Sequence, residues 1–321
     1  MKAATRTKYG PPGVLSIKTP DRIPQPKKDE ILVKVKATTV NRSDCGVLTG
    51  KPWAIRLFTG LFKPRLKVTG SDFSGLVVAK GDDVAEFNIG DDVYGFFDEG
   101  IGSHASYFCV STKRAVLKKP TNITYEQAAA SLEGAHYAFY FLEKVLLKKD
   151  DKVLINGGTG AIGSAALQFL KYKGSHVTVT CETAYVPVLQ AMGADKVIDY
   201  TREDFTKLNE QFDYVFDAVG KSTFGKCQAI LKPDGVYISS ELGPYWQNPL
   251  YAMIAPLMKG KKVKFPMPFS IKRSMAFINE LLEKDQFIPL IDKRYRIDEI
   301  ATAFEYVQSG QKKGNVIINL D

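Results

Sequence analysis

Cysteine and histidine are scarce in this 321-residue chain. It has four cysteines, Cys45, Cys109, Cys181 and Cys227, and three histidines. No two cysteines form a C-x-x-C pair, which argues against both a clustered structural zinc site and a disulfide framework. No apolar run is long enough to cross a bilayer, and the opening MKAATRTKYG lacks the apolar core of a secretory signal. The chain also lacks internal repeats and low-complexity tracts. These absences set the expectation of a reduced, cytoplasmic protein without membrane attachment. Acidic residues are the minority, 35 against 44 basic, for a net charge of +9. The lysines fall in scattered short groups, such as Lys148 and Lys149, with no interleaved aromatics. The excess therefore reads as solvated surface and a field for an anionic cofactor, and argues against a nucleic-acid surface.

The informative stretch lies near the middle. Val153 to Glu182 reads VLINGGTGAIGSAALQFLKYKGSHVTVTCE. Val153, Leu154 and Ile155 predict a strand, and Ile162, Ala165, Ala166, Phe169 and Leu170 recur at helical spacing. Between them Gly158, Gly160 and Gly163 stand as G-x-G-x-x-G, with Thr159, Ala161 and Ile162 filling the loop. The first glycine is expected to permit a sharp turn, the second to let a diphosphate approach the backbone, and the third to let helix and strand pack closely. A second strand, 176–180, leads to Glu182, an acid placed to accept from an adenosine ribose. Strand, glycines, helix, strand and acid in this order predict a bound dinucleotide held at a helix amino terminus.

Around this unit the chain falls into three segments. Residues 1–122 read as all-β, with runs such as Ile31–Val35 and Gly75–Val78 broken by Gly-Asp-Asp turns, and predict a barrel-like domain. Within it, WAIRLFTGLFKP (53–64) is expected to be a packed loop or the wall of a substrate cleft. Residues 123–262 open with Thr124 capping one long helix through AAASLEGAHYAFYFLEKVL. Strands at Lys196–Tyr200, Tyr214–Ala218 and Val236–Ser239 then alternate with helical segments such as Arg202–Asn209. Alternation of this kind predicts an α/β fold with a doubly wound parallel sheet and a ligand at the strands' carboxyl ends. Residues 263–321 hold two helices, Ser274–Leu282 and Ile297–Val307, and a last strand, Gly314–Leu320, expected to return to the first domain.

From end to end, KYGPPGVL, ILVKVKATTVNRSD, GSDFSGLV, FNIGDDVYG, NGGTGAIG, MGADKVIDY and FDYVFDAVG follow one another. In this order they resemble the zinc-independent medium-chain dehydrogenase/reductase superfamily, in its quinone oxidoreductase (zeta-crystallin-like) branch. The resemblance implies a GroES-like catalytic domain made of both chain ends and a central Rossmann domain. It also implies hydride transfer from a reduced nicotinamide to a small apolar or aromatic quinone or activated enone. Trp53, Leu57, Phe58, Tyr245 and Trp246 are the aromatic and apolar residues suggested for the substrate. In zinc-dependent relatives a cysteine and a histidine stand where this chain has Asn41 and Ser71, with a third ligand near Leu132 and Glu133. Amide and hydroxyl oxygens make a poor zinc site, and the four-cysteine lobe expected after Gly95 is missing, so no metal is expected.

The resemblance further implies that Asn41 and Asp44 act beside the nicotinamide, with Ser43 as a second hydroxyl. His136 is a candidate proton donor, a buried structural imidazole being the alternative. His104 and Tyr107 are implied near the cleft, with packing as their alternative. Implied cofactor contacts are Glu182, Thr183, Tyr200, Val219, Ser239, Ser240, Leu242 and Asn315. Glu182 favours NAD, whereas Tyr200, with Lys196 and Arg202 near in sequence, favours NADP. NADP is the expected cofactor and NAD the alternative, and a homodimer is implied. An alcohol or carbonyl dehydrogenase, and a nucleotide-binding structural or regulatory protein, stand as the competing functions.

Overall fold

The computed structural model describes every residue except Glu99, Met258, Pro268, Phe269 and Asp321. Its first strands are β1 (Ala3–Thr5), β2 (Ser16–Lys18), β3 (Glu30–Val40), β4 (Asp72–Lys80), β5 (Asp92–Phe96), β6 (Tyr107–Ser111) and β7 (Val116–Lys118). There follow β8 (Lys152–Asn156), β9 (His176–Cys181), β10 (Lys196–Asp199), β11 (Phe212–Asp217), β12 (Leu231–Ser239) and β13 (Lys262–Lys264). The last two are β14 (Ile291–Arg296) and β15 (Asn315–Asn319). The chain divides into two units, Met1–Glu133 with Ile271–Glu283 and Ile291–Asp321, and Gly134–Ser270 with Lys284–Leu290.

In the first unit, apolar residues at alternate positions of β3 turn Ile31, Val33 and Val35 into a core with Phe73, Val77 and Phe108. The Phe73 and Phe108 rings meet edge to face at 4.8 Å. Each such side chain, fully buried, contributes about 1.5–3 kcal/mol. The sheet runs β14-β15-β3-β4-β5-β7, with β6 also on β3. The last strand does return: β15 lies antiparallel to β3, Val316 opposite Val40, and Val316 and Ile318 join the same core.

The second unit is a six-stranded sheet in the order β10-β9-β8-β11-β12-β13, every pair parallel. Val153, Leu154 and Ile155 of β8 are wholly buried, as expected of a central parallel strand covered on both faces. From β8 the chain builds outward to β10 on one side and, from β11, to β13 on the other. The border between β8 and β11 is thus the switch point where a doubly wound sheet opens a crevice at its carboxyl edge.

Three local expectations change. The helix after Thr124 is two helices, since the Ser131 hydroxyl donates to the Ala128 carbonyl at 2.8 Å where the ladder would continue. Arg202–Asn209 holds one 3-10 turn, Phe205–Lys207, because the Asp204 side chain accepts from the Thr206 N–H and hydroxyl. The 53–64 stretch is not a packed loop: Ile55–Thr59 is helical, and Phe58 and Phe62 are 79% and 89% exposed.

Candidate active site

The glycine loop joins β8 to the helix Ala161–Tyr172. Here the turn residue differs from expectation. Gly157 has φ +91°, while Gly158 keeps ordinary backbone and donates its N–H to the Thr180 carbonyl at 2.9 Å. A Cβ on Gly163 would lie 2.1 Å from the Gly157 carbonyl oxygen, so the missing side chain is what seats the helix against the strand. Gly160 precedes the first helical residue, and a Cβ there would meet only one atom, at 3.6 Å. The space in front of the helix's free amides is open, the geometry an anionic diphosphate requires. Thr159 and Ala161 are buried in this turn, and Ile162 and Gly163 continue the first helical turn.

The remaining predicted contacts in this unit follow the ends of neighbouring strands. Glu182 and Thr183 come directly after β9. Tyr200, directly after β10, donates its hydroxyl to Glu182 Oε1 at 2.6 Å. Beyond β11, Val219 is held by a residue that sequence reading missed. Asp217, fully buried, accepts from Asn156 Nδ2 (3.0 Å), the Val219, Gly220 and Ser222 amides (3.4, 3.0 and 3.1 Å) and the Tyr237 hydroxyl (2.9 Å). Past β12, Ser239 Oγ accepts from the Glu241 amide at 3.2 Å, and the Leu242 carbonyl accepts from the Asn248 amide at 3.0 Å. The Ser240 hydroxyl is shielded from solvent and has no hydrogen-bond partner among the described residues. An open helix amino terminus and an orphaned hydroxyl at one sheet edge fit a dinucleotide. Asn315, the last of the implied cofactor contacts, is buried at the start of β15 in the first unit.

In the first unit the predicted catalytic residues sit where β3 meets the helix Arg42–Thr49. The Asn41 N–H donates to Asp44 Oδ2 at 2.9 Å, and Asn41 Nδ2 donates to Thr39 Oγ1 and Asp72 Oδ2 at 2.6 and 3.0 Å. Ser43 Oγ donates to Glu133 Oε2 at 2.6 Å, and Ser71 Oγ lies 3.5 Å from both the Asp44 and Glu133 carboxylates. Burial raises all three acids. Asp44, also repelled by Asp72, is pushed up to about 7, Asp72 to about 6, and Glu133 well above the carboxylate range. The three carboxyls come from positions 44, 72 and 133, and no local motif signals the cluster.

The histidines are quiet. His104 donates Nε2–H to the Thr39 carbonyl and pairs Nδ1 with Thr69, both at 2.8 Å. His136 is 1% exposed, with the rings of Tyr137 and Tyr140 edge-on at 5.5 and 5.2 Å. Burial lowers both to about 4, so each is a neutral imidazole at pH 7.

A family described as alcohol dehydrogenase GroES-like domain matches residues 27–121, and one described as zinc-binding dehydrogenase matches 192–318. The 2-methylene-furan-3-one reductase of Solanum lycopersicum is 31% identical, over 99% of this chain and 79% of that protein. This chain belongs to the medium-chain dehydrogenase/reductase superfamily. Within that superfamily it is also similar to the chloroplastic NADPH-dependent alkenal/one oxidoreductase of Arabidopsis thaliana, 28% identical over 99% of this chain and 79% of that protein. Among solved structures, the quinone oxidoreductase from Coxiella burnetii superposes with a TM-score of 0.86 at 27% identity, covering 100% and 99% of the two chains. Zinc in the family description finds no counterpart in this member's donors. Asn41 and Ser71 offer amide and hydroxyl, and among the described residues no three His, Cys, Asp or Glu side chains are grouped to hold a metal ion.

Proposed function

We propose that this medium-chain reductase uses NADPH to reduce quinones, or the activated carbon–carbon double bond of enones. The observation that carries the proposal is the open helix amino terminus at Gly160 on the same sheet edge as the partnerless Ser240 hydroxyl. The relatives' names, a furanone reductase and an alkenal/one oxidoreductase, supply the substrate class. Bound there, a nicotinamide supplies the hydride. The amides of 158–163 hold the diphosphate, Glu182, Thr183 and Tyr200 take the adenosine ribose, and Val219, Ser239, Ser240 and Leu242 border the nicotinamide half.

On the substrate's side we assign the work to Asn41, Ser43 and Asp44. Their part is to place a donor at the oxygen where negative charge develops. Glu133, whose proton burial favours, lies one hydrogen bond from Ser43. His136, neutral at pH 7, has no imidazolium proton to give, so any proton it passes on is its ring N–H. The exposed aromatics Trp53, Phe58 and Tyr245 favour an apolar or aromatic carbonyl substrate. The resemblance implies that two copies join their Rossmann sheets edge to edge, and we propose a homodimer, to be checked by light scattering.

The test follows nucleotide absorbance at 340 nm with quinones, enones and saturated aldehydes as acceptors. NADPH oxidation is expected with the first two classes and not the third. Alcohol-driven reduction of NADP⁺ would establish the dehydrogenase reading instead, and tight nucleotide binding without turnover on any acceptor would refute an enzyme. Ser43→Ala is expected to lower kcat roughly fivefold, the effect of one neutral hydrogen bond of about 1 kcal/mol. Nucleotide Kd and Tm should stay at the wild-type values, since the Ser43 side chain is only half-buried.

A further inference from the structure

We infer that the adenosine-ribose rim of this chain accepts NADH at least as well as NADPH, and that Glu182 with Tyr200 sets the ratio. This rests on the nucleotide-binding reading above and departs from the cofactor printed in the name of the Arabidopsis relative. The rim lies wholly in the second unit, at the carboxyl ends of β9 and β10. An acid at the end of the second strand of such a unit accepts from the ribose 2′-hydroxyl, whereas a 2′-phosphate needs a cation or free donors there.

The pair at the centre of this rim is arranged for the first case. Glu182 carries the carboxylate, and the Tyr200 hydroxyl is already donated to it at 2.6 Å. That phenol has one proton, so it cannot serve a phosphate while the pair is intact. Burial and the neighbouring Glu182 raise Tyr200 to about 12, so the proton stays in place at pH 7.

A second carboxylate stands beside the first. Asp199 accepts from the Thr183 hydroxyl at 2.5 Å and from the Thr201 hydroxyl and amide at 2.6 and 3.0 Å. These bonds hold it below the usual carboxylate range and therefore ionised. They also engage Thr183, the hydroxyl that the resemblance links to NADP.

Of the basic residues that favoured NADP from sequence, Lys196 is committed elsewhere, while the exposed Arg202 stays at the rim with its charge on Asp199. Lys196 opens β10 at the opposite end from Asp199, opposite Thr178 of β9, and pairs with Glu210 at 3.3 Å. Glu210 also takes Lys152, at 2.9 Å. Arg202 bonds through its backbone N–H to the Asp199 carbonyl, and its charge acts on the Asp199 carboxylate. Position 184, next along, is alanine. A 2′-hydroxyl gains an acceptor here, and a 2′-phosphate dianion meets two carboxylates.

The experiment measures Kd for NADH and NADPH by calorimetry on the intact chain, with ADP and 2′,5′-ADP as probes of the adenosine half alone. Wild type is expected to bind NADH as tightly as NADPH or tighter, and ADP over 2′,5′-ADP in the same ratio. Glu182→Ala removes one charge and frees the Tyr200 hydroxyl, and should shift the NADPH-to-NADH affinity ratio about tenfold toward NADPH. Tyr200→Phe in the Glu182→Ala background should take back part of that shift. NADPH binding tenfold tighter than NADH in wild type, or a ratio unmoved by Glu182→Ala, overturns the inference. Binding of neither nucleotide overturns it together with the function it rests on.

Discussion

Gly163→Ala is expected to cost about 3 kcal/mol of stability, the upper end of ordinary overpacking penalties, and to lower Tm by roughly 8 °C. The added Cβ would stand 2.1 Å from the Gly157 carbonyl oxygen and 2.9 Å from its carbon. Both are backbone atoms that no rotamer change can move aside. Gly157 in turn is fixed by its amide's bond to Thr180 Oγ1 at 2.9 Å, and Thr180 Oγ1 by Asn156 at 3.0 Å. The helix must therefore back away from β8, carrying the Gly160 amino terminus with it. Displacement by an ångström misplaces every amide aimed at the diphosphate, so NADPH affinity should fall on the order of 100-fold. Chemical denaturation and calorimetric titration check both numbers. A variant that melts and binds like wild type would show that this loop is not what seats the nucleotide.

The second large effect is a loss of stability on the alkaline side. Asp44 and Asp72 titrate in the folded protein at about 7 and about 6, against an ordinary value of 3.8. A folded state that holds protons the unfolded chain has released is favoured at low pH. That contribution is complete below about pH 4 and is lost as pH rises through the folded values. His104 and His136, lowered to about 4 from 6.5, have the opposite sign and lose stability as pH falls from 6.5 toward 4. Between pH 4 and 6.5 the two sets oppose one another. Above 6.5 the histidine contribution is flat, and Asp44 and Asp72 together should lower the stability by about 1 kcal/mol between pH 6.5 and 8. Lys312, whose ammonium is lowered by burial, has the opposite sign and gains stability as pH rises. Asp44→Asn keeps an oxygen to accept the Asn41 N–H but carries no proton equilibrium, so its urea midpoint should change far less over that range. Equal slopes for variant and wild type would place the titration elsewhere.

Much of the architecture was readable from residue patterns, because the features that encode it are local. Val153–Ile155 had to be a strand buried on both faces, and the glycine spacing had to break the chain just there. Alternation of strands and helices implied a parallel sheet, and the order β10-β9-β8-β11-β12-β13 came with the structure. What local pattern could not show depends on residues far apart in sequence. The resemblance grouped positions 41, 71 and 132–133, but that Asp44, Asp72 and Glu133 are buried together with raised carboxyls came only with the fold, when β3 and β4 pair and the chain comes back at 133. Asp217 looks like any acid before a turn until Asn156 and Tyr237 arrive from adjacent strands. Competition between nearly equal local options accounts for the rest. Ser131 and Asp204 both divert backbone partners into turns, where periodicity alone predicted continuing helix. The positive φ fell on Gly157 rather than Gly158, and the spacing could not tell them apart because a glycine stood at both positions, each with side chains close by: Val219 at 2.4 Å from a Cβ on Gly157, and Leu189 at 2.9 Å from one on Gly158.

β15 slots between β14 and β3, and its partner on β3 is translated some 275 residues before it, counting from Val40 to Asn315. At ribosomal rates of about 5–20 residues per second, that edge of β3 waits on the order of half a minute for its neighbour. The parallel sheet, nearly contiguous in the chain, is complete well before. Newly made protein therefore passes through a stage in which the nucleotide-holding unit is formed while Ala37 to Val40, immediately before the Asn41 turn, still present an unsatisfied strand edge. For this chain, the reactive half matures last.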